Sequence, residues 1–103
     1  MDNFKVIYKI LKLLEEAMDQ DEFDINLLSP DLLGVTENRR NAILKMLQAE
    51  GYITGVLYRN GLSGVKLSKP AITLKGLQYL EENSMMKKVS GILKGIKETI
   101  PGL

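Results

Sequence analysis

The fold is decided by residues 36–74, which read TENRRNAILKMLQAEGYITGVLYRNGLSGVKLSKPAITL. Within residues 36–50 apolar side chains recur at helical spacing, and Gly51 follows as a residue that tolerates the left-handed conformation in which helices often end. Two runs of strong strand formers come next, separated by Asn60-Gly61, which is typical of a tight hairpin turn. The stretch therefore predicts a helix followed by two antiparallel strands.

A short helix and a tight turn precede this helix. Ser29 and Pro30 suit the N-cap and first position of a helix, and Gly34 ends that helix about one turn later. Thr36 then caps the longer helix, so two helices meet across a tight turn. Together with the strands, this order predicts an α+β fold, a winged helix-turn-helix with a three-helix core, a β-hairpin wing and additional C-terminal helices.

The amino-terminal region predicts another helix, over residues 3–18. Its apolar residues spread over an arc of about 220°, whereas a helix covered on one side needs a stripe of about 100°. We therefore expect this helix to be covered on two sides. The polar residues 19–22 predict a loop, and residues 23–25 predict a brief edge strand.

We expect the chain to consist of a winged-helix domain, residues 1–83, and an amphipathic C-terminal helix, residues 84–103. Thr73 caps a helix that ends near Asn83. In the last segment the apolar residues share one arc of about 120° on a helical projection. This arc predicts packing against the first helix of the same chain, or a homodimer through a second chain; a membrane-surface role is a third reading. The apolar residues are Met85, Met86, Val89, Ile92, Leu93, Ile96 and Ile100.

The composition of the chain argues against catalysis and against metal or cofactor binding. It has no histidine, cysteine or tryptophan among its 103 residues, and no phosphate-binding glycine motif. The acidic residues between 15 and 24 lack the glycine and distal glutamate of a calcium loop, so a solvated loop is expected there. We therefore expect no enzyme, no metal, no cofactor and no small-molecule substrate. The absence of a secretion signal and of an apolar span favours a cytoplasmic protein that does not cross a membrane.

The charge is distributed unevenly. Residues 1–35 hold three lysines against eight acidic residues, while residues 36–103 hold eleven basic against five acidic residues. The predicted helix and two strands of residues 36–74 therefore lie in the basic part of the chain, which favours a polyanion such as double-stranded DNA as partner. An ordinary mixed surface explains the same charges.

The predicted helix over residues 36–50 supplies the candidate recognition surface. We expect Ile43, Leu44, Met46 and Leu47 to point inward, and Asn38, Asn41, Lys45 and Gln48 to point outward. Asparagine can pair with adenine edges, a small apolar side chain can contact a thymine methyl group, and basic side chains can contact guanine or phosphate. The candidate DNA-binding residues of this helix and the wing are Asn38, Arg39, Asn41, Ala42, Lys45, Arg59, Lys66 and Lys69.

Three stretches also carry a resemblance to a known family. They are LQAEGYI at residues 47–53, ITLKGLQYLE at residues 72–81 and FKVIYKIL at residues 4–11. The first two look like winged-helix proteins generally. Over nearly its full length the chain resembles the YjcQ-like family, small winged-helix proteins of Gram-positive bacteria and their phages or prophages. The resemblance implies a winged-helix fold and phage or prophage origin, and it offers no catalytic residues to transfer.

The leading functional prediction is a dimeric, phage-related transcriptional regulator. Two copies would place their recognition helices about 34 Å apart on DNA. The alternative is a winged-helix module of phage origin that binds a protein and no DNA.

Overall fold

A computed structural model describes residues 2–58 and 64–84. Its helices and strands follow one another as α1 (Asn3–Ala17), a 3₁₀ helix (Ile25–Leu28), α2 (Pro30–Leu33), α3 (Glu37–Ala49), β1 (Ile53–Tyr58), β2 (Val65–Ile72) and α4 (Leu74–Glu82). The described part is thus α+β, with four α-helices and one antiparallel pair of strands. This arrangement is compatible with a winged helix.

One apolar core joins these elements. α1 packs against β2 and α4, while α3 packs against β1. Every α-helix and both strands of the described part carry apolar side chains that pack in this core. The buried apolar residues are Val6, Ile10, Leu11, Leu14, Leu28, Leu33, Ile43, Leu44, Leu47, Ile53, Val56 and Leu80.

The helix starts lie where the capping residues predicted them. The side chains of Ser29, Thr36 and Thr73 accept backbone N–H groups of the helices that follow them. Each bond satisfies one of the N–H groups that a first helical turn leaves without a partner. The predicted ends are confirmed as well, because Gly34 and Gly51 take the left-handed conformation, with φ of 74° and 84°.

The predicted edge strand over residues 23–25 is wrong. Ile25 begins the 3₁₀ helix, and the Asp24 carboxylate accepts the Asn26 N–H at 3.0 Å. An aspartate that bonds the backbone two residues further on offers the chain a local turn in place of a strand ladder.

β2 runs over eight residues and contains Pro70. The register runs from Ile53 opposite Ile72 to Tyr58 opposite Val65, with an irregularity opposite Gly55. Pro70, which has no N–H for a ladder bond, is tolerated at this bulge. A Cβ on Gly55 would lie 2.7 Å from both the Ser68 carbonyl oxygen and the Pro70 Cα, so the two backbones approach closely there.

Several sequence predictions fall outside the described residues. They are the hairpin turn at residues 60–61, the wing residue Arg59, and the C-terminal segment with its candidate packing residues. The predicted division of the chain at residues 83 and 84 is likewise left as a prediction, although α4 does end at Glu82 with Asn83 as its C-cap.

Candidate nucleic-acid interface

One side of α3 packs in the apolar core, and the opposite side is exposed to solvent. Ile43, Leu44 and Leu47 are buried in the core, as predicted. On the opposite side Asn38, Arg39 and Ala42 are exposed. These three candidate residues follow one another at the spacing of a single helix face, so the fold brings them together on the outer surface of α3.

Asn41, by contrast, was wrongly predicted to point outward. Its side chain is 4% exposed, and its Oδ1 accepts a hydrogen bond from Arg40 Nε at 3.1 Å. Asn41 thus lies in the interior, bonded to Arg40, which also bonds the Leu28 carbonyl oxygen. Asn41 therefore cannot contact a base edge without a rearrangement of the helix.

Gln48 was also predicted to point outward, and it instead ties α3 to β1. Its Nε2 donates to the Val56 carbonyl oxygen at 2.7 Å, and its Oε1 accepts the Val56 N–H at 2.7 Å. The side-chain amide thus satisfies both polar groups of one residue's backbone. Sequence reasoning missed this role, because the signal is only a glutamine next to a buried leucine on the helix.

The same packing explains the position of Met46. We expected it to point inward, but its side chain is 54% exposed. Gln48 bonds β1 and Asn41 on the same flank is buried, so the centre of the buried face lies toward these two residues and away from Met46. Met46 therefore lies on the exposed side of α3 with Ala42 and Ala49.

Lys45 lies at the edge of α3 that faces the strands. It is half-buried, and its Nζ lies 5.3 Å from the centre of the Tyr58 ring at the end of β1. A cation over an aromatic face is attracted by the ring, which positions the ammonium group at this edge. Tyr58 was not among the predicted site residues, and its own side chain is 58% exposed.

Two arginines at the start of α3 have different surroundings. Arg39 is exposed, and its Nη1 donates to Asn3 Oδ1 at 2.7 Å, which leaves other guanidinium donors for a ligand. Arg40 is half-buried and bonds the Leu28 carbonyl oxygen at 3.3 Å as well as Asn41. Arg40 therefore connects α3 with the 3₁₀ helix.

The two described wing candidates lie on β2. Lys66 is exposed and lies opposite Leu57 of β1, and Lys69 is exposed at the bulge. Lys69 has a φ of 49°, a conformation in which an L residue is strained. Both lysines belong to the sheet, and Lys66 lines a cleft together with Arg40 of α3.

Two titratable groups outside α3 have shifted pKa values. Burial raises the pKa of the Tyr79 hydroxyl, and the charges of Tyr52 and Asp2 add to the effect. The pKa of Lys12 is raised by its hydrogen bond to Glu15, whose Oε1 lies 2.8 Å from Lys12 Nζ. Both are explained by local packing, and neither lies on α3.

Residues 2–58 and 64–84 contain no group of three or more aspartate, glutamate, histidine or cysteine side chains that could hold a metal ion. No helix in this part of the chain has both the length and the apolar character needed to span a membrane.

Comparison with known proteins places the chain in a family. A family model described as "YjcQ protein" matches residues 8–99. The chain belongs to the YjcQ family. A relative from Bacillus subtilis (strain 168), described as "Uncharacterized protein YjcQ", is 34% identical over 100 residues, which cover 97% of this chain and 99% of that protein. No solved structure matches the chain. The family resemblance read from the sequence is confirmed.

Proposed function

We propose that this YjcQ family member is a non-catalytic winged-helix module that binds double-stranded DNA through the outer surface of α3. The observation that carries the proposal is the exposure of that surface. Asn38, Arg39 and Ala42 are exposed, while Ile43 and Leu47 anchor the opposite side of the helix in the core. A helix fixed by one side and open on the other can enter a major groove as a rigid element.

The dimensions and chemistry of α3 suit that role. A helix of 13 residues is about 20 Å long, and a major groove about 12 Å wide admits it. Asn38 offers both a donor and an acceptor for an adenine edge, and the Ala42 methyl group can contact thymine. In this proposal Arg39 contacts guanine or the backbone from the first turn of the helix.

In this proposal the phosphate contacts come from Lys45, at the edge of α3 that faces the strands, and from the lysines of the sheet. Lys45 lies at the edge of the outer surface, and Lys66 and Lys69 are exposed on β2. The proposed function is that of a phage-related transcriptional regulator acting as a homodimer, so that two such surfaces meet one DNA site. Basic side chains on two neighbouring elements would fix the orientation of the helix in the groove.

Binding to random duplex DNA as a function of salt tests this proposal. With phosphate contacts, the logarithm of affinity falls linearly with the logarithm of salt concentration, by a slope of about −0.9 per phosphate neutralised. Replacing Lys66 by glutamine is expected to lower the magnitude of the slope by about one contact. The same change at Lys5, an exposed lysine of α1, is the matched control and should leave the slope unchanged.

The proposal fails if fluorescence anisotropy detects no duplex binding at about 50 mM salt, a condition under which electrostatic contacts are strong. It also fails if the Lys5 and Lys66 variants change the slope equally, because the contact would then not involve the sheet.

A protein-binding module is the second candidate, and a specific observation favours it. The middle of the exposed side of α3 is apolar, with Ala42, Met46 and Ala49 in one row. Leu57 and Tyr58 of β1 are also exposed, at 49% and 58%. Exposed methionine and aromatic side chains are common in protein interfaces, where lysine is depleted.

Replacing Met46 by glutamate distinguishes the two candidates. In the DNA-binding case the added carboxylate repels the phosphates and weakens binding to duplex at low salt. The protein-binding function is supported instead by two observations together. The parent chain does not bind duplex DNA, and a protein that the parent chain captures is not captured by the variant.

A further inference from the structure

A cleft lies where the 3₁₀ helix, the start of α2, α3 and β2 come together. Its volume is about 440 Å³, and ligand sites usually have about 300 to 1,000 Å³. The 3₁₀ helix contributes Asn26, the N-cap of α2 is Ser29, α3 contributes Arg40 and β2 contributes Lys66, while the other residues of the lining are apolar. The cleft therefore combines a few polar groups from separate elements with apolar walls, as small-ligand sites do.

The charged side chains of this cleft are both cationic. Arg40 and Lys66 line it, and no aspartate or glutamate of the described residues does. The acidic residues nearest to the lining in sequence are otherwise placed. The Asp24 carboxylate accepts a backbone N–H at 3.0 Å, Asp31 lines a different cleft, and Glu37 is exposed in the first turn of α3. In the described part of the chain no carboxylate lies within ion-pair distance of either cation.

The guanidinium group of Arg40 is fixed by neutral partners. Its Nε donates to Asn41 Oδ1 at 3.1 Å, and its Nη1 donates to the Leu28 carbonyl oxygen at 3.3 Å. Asn41 is itself 4% exposed, so this anchor is held by the interior. Within residues 2–58 and 64–84 the Nη2 group of Arg40 has no hydrogen-bond partner. A half-buried guanidinium that is held in place, but whose charge no carboxylate balances, is a preorganised donor for an oxyanion.

We propose that this cleft binds a phosphate group. Arg40 supplies N–H donors in a fixed plane, Lys66 supplies a second positive charge, and the Asn26 side-chain amide adds a neutral donor. A phosphate monoester carries a charge of about −1.5 to −2 near neutral pH, which two cations balance more fully than they would be balanced by a single carboxylate.

This phosphate can come from two sources. A free phosphorylated compound would place its phosphate between the cations and its remaining atoms along the apolar walls. The backbone of a DNA duplex would place one of its phosphates there instead. The second source rests on the proposed function, in which Lys66 already contacts the backbone, and it adds Arg40 to that contact.

Titration of the nitrogen-15-labelled full chain with inorganic phosphate, at an ionic strength held constant with sodium chloride, tests the site without DNA. We expect saturable shifts at the backbone amides of Asn26 and Lys66 and at the Arg40 Nε–H signal. Lys66→Gln should raise the dissociation constant about two- to five-fold, because it removes an exposed ionic contact. The matched control is Lys5→Gln, at an exposed lysine of α1 outside the cleft, which should leave the constant unchanged.

The role of the guanidinium group has its own variant. Arg40→Lys keeps a cation but removes the planar arrangement of donors, and it should weaken phosphate binding about ten-fold. Thermal unfolding of this variant shows whether it still folds. Since Lys66 is exposed and has no structural bond in the described part of the chain, Lys66→Gln tests the site even if Arg40→Lys does not fold.

Two results would overturn the proposal. Sodium chloride alone might produce the same shifts at equal ionic strength, in which case the cleft has no preference for phosphate. Equal weakening by Lys5→Gln and Lys66→Gln would show that phosphate interacts with the surface charge in general.

Competition with a fluorescent duplex, again at constant ionic strength, distinguishes the two sources. If phosphate displaces the duplex from the parent chain more readily than from Lys66→Gln, the cleft holds a backbone phosphate. If phosphate shifts the cleft signals but displaces no duplex, or if the chain binds no duplex at all, the site is one for a free phosphorylated compound. The first titration contains no DNA, so the phosphate site and the proposed function can fail separately.

Discussion

The bonds between Gln48 and Val56 make a quantitative prediction about the stability of the fold. Replacing Gln48 by alanine removes both 2.7 Å hydrogen bonds and leaves the N–H and carbonyl of the buried Val56 without them. A hydrogen bond contributes about 1 kcal/mol net, so the free energy of unfolding should fall by about 2 kcal/mol. For a domain of this size the melting temperature should then fall by about 8 to 16 °C.

The matched control is Gln78→Ala on α4, because Gln78 is exposed. Both changes replace a helical glutamine by alanine and share the same gain in helix propensity, so the difference between the variants isolates the bonds to Val56. Urea unfolding followed by circular dichroism at 222 nm gives both free energies. Gln48→Glu is a second variant, which keeps the shape, loses the donor and places a carboxylate beside the Val56 carbonyl.

A refuting result is easy to state. If Gln48→Ala and Gln78→Ala have free energies of unfolding within about 0.5 kcal/mol of each other, the two bonds do not stabilise the fold as argued. If Gln48→Glu is as stable as the parent chain, the Val56 carbonyl does not require the amide donor.

Further predictions concern a glycine, a strained lysine and a half-buried tyrosine. Gly76→Ala should destabilise the fold by about 1 to 3 kcal/mol despite the better helix propensity of alanine, because the new Cβ would lie 2.5 Å from the Tyr52 carbonyl oxygen; urea unfolding measures this, and a more stable variant would refute the close approach. Lys69→Gly relieves a positive φ and should leave stability unchanged or raised, whereas Lys66→Gly, in ordinary strand conformation, should lower it by about 1 kcal/mol; the reverse order of urea midpoints would contradict the strain. The raised pKa of Tyr79 means that the folded chain holds this proton more tightly, so its contribution to stability is complete below pH about 10 and is lost as pH rises through the raised value. Absorbance at 295 nm should show a step above pH 10 that Tyr79→Phe removes, and an unchanged titration curve would be inconsistent with this assignment.

Local rules predicted the boundaries of the elements well. Ser29, Thr36 and Thr73 cap helices, and Gly51 ends α3, because each of these effects depends on the residue itself and on its next few neighbours. The failed edge strand before the 3₁₀ helix had a local cause too, since Asp24 forms a cap that a strand-propensity argument does not include.

The candidate surface was predicted less well, because burial on α3 depends on a distant element. The helical period identified Ile43 and Leu47 as buried, yet it could not show which flank β1 would cover. Gln48 on one flank bonds β1 and Asn41 on the same flank is buried, while Met46 on the other side is left exposed. The fact that a helix residue is polar therefore does not show whether it contacts a ligand or bonds to a neighbouring element of the fold.

Gln48 of α3 also affects how readily this protein associates with other chains in solution. Because the Val56 N–H and carbonyl bond the Gln48 side chain, they point away from β2, toward the place that a third strand would occupy. An extended peptide that tried to add itself there would find both groups already taken. The two-stranded sheet is thereby protected at that point against recruitment of foreign strands, and a chain lacking this side chain should aggregate more readily on prolonged storage.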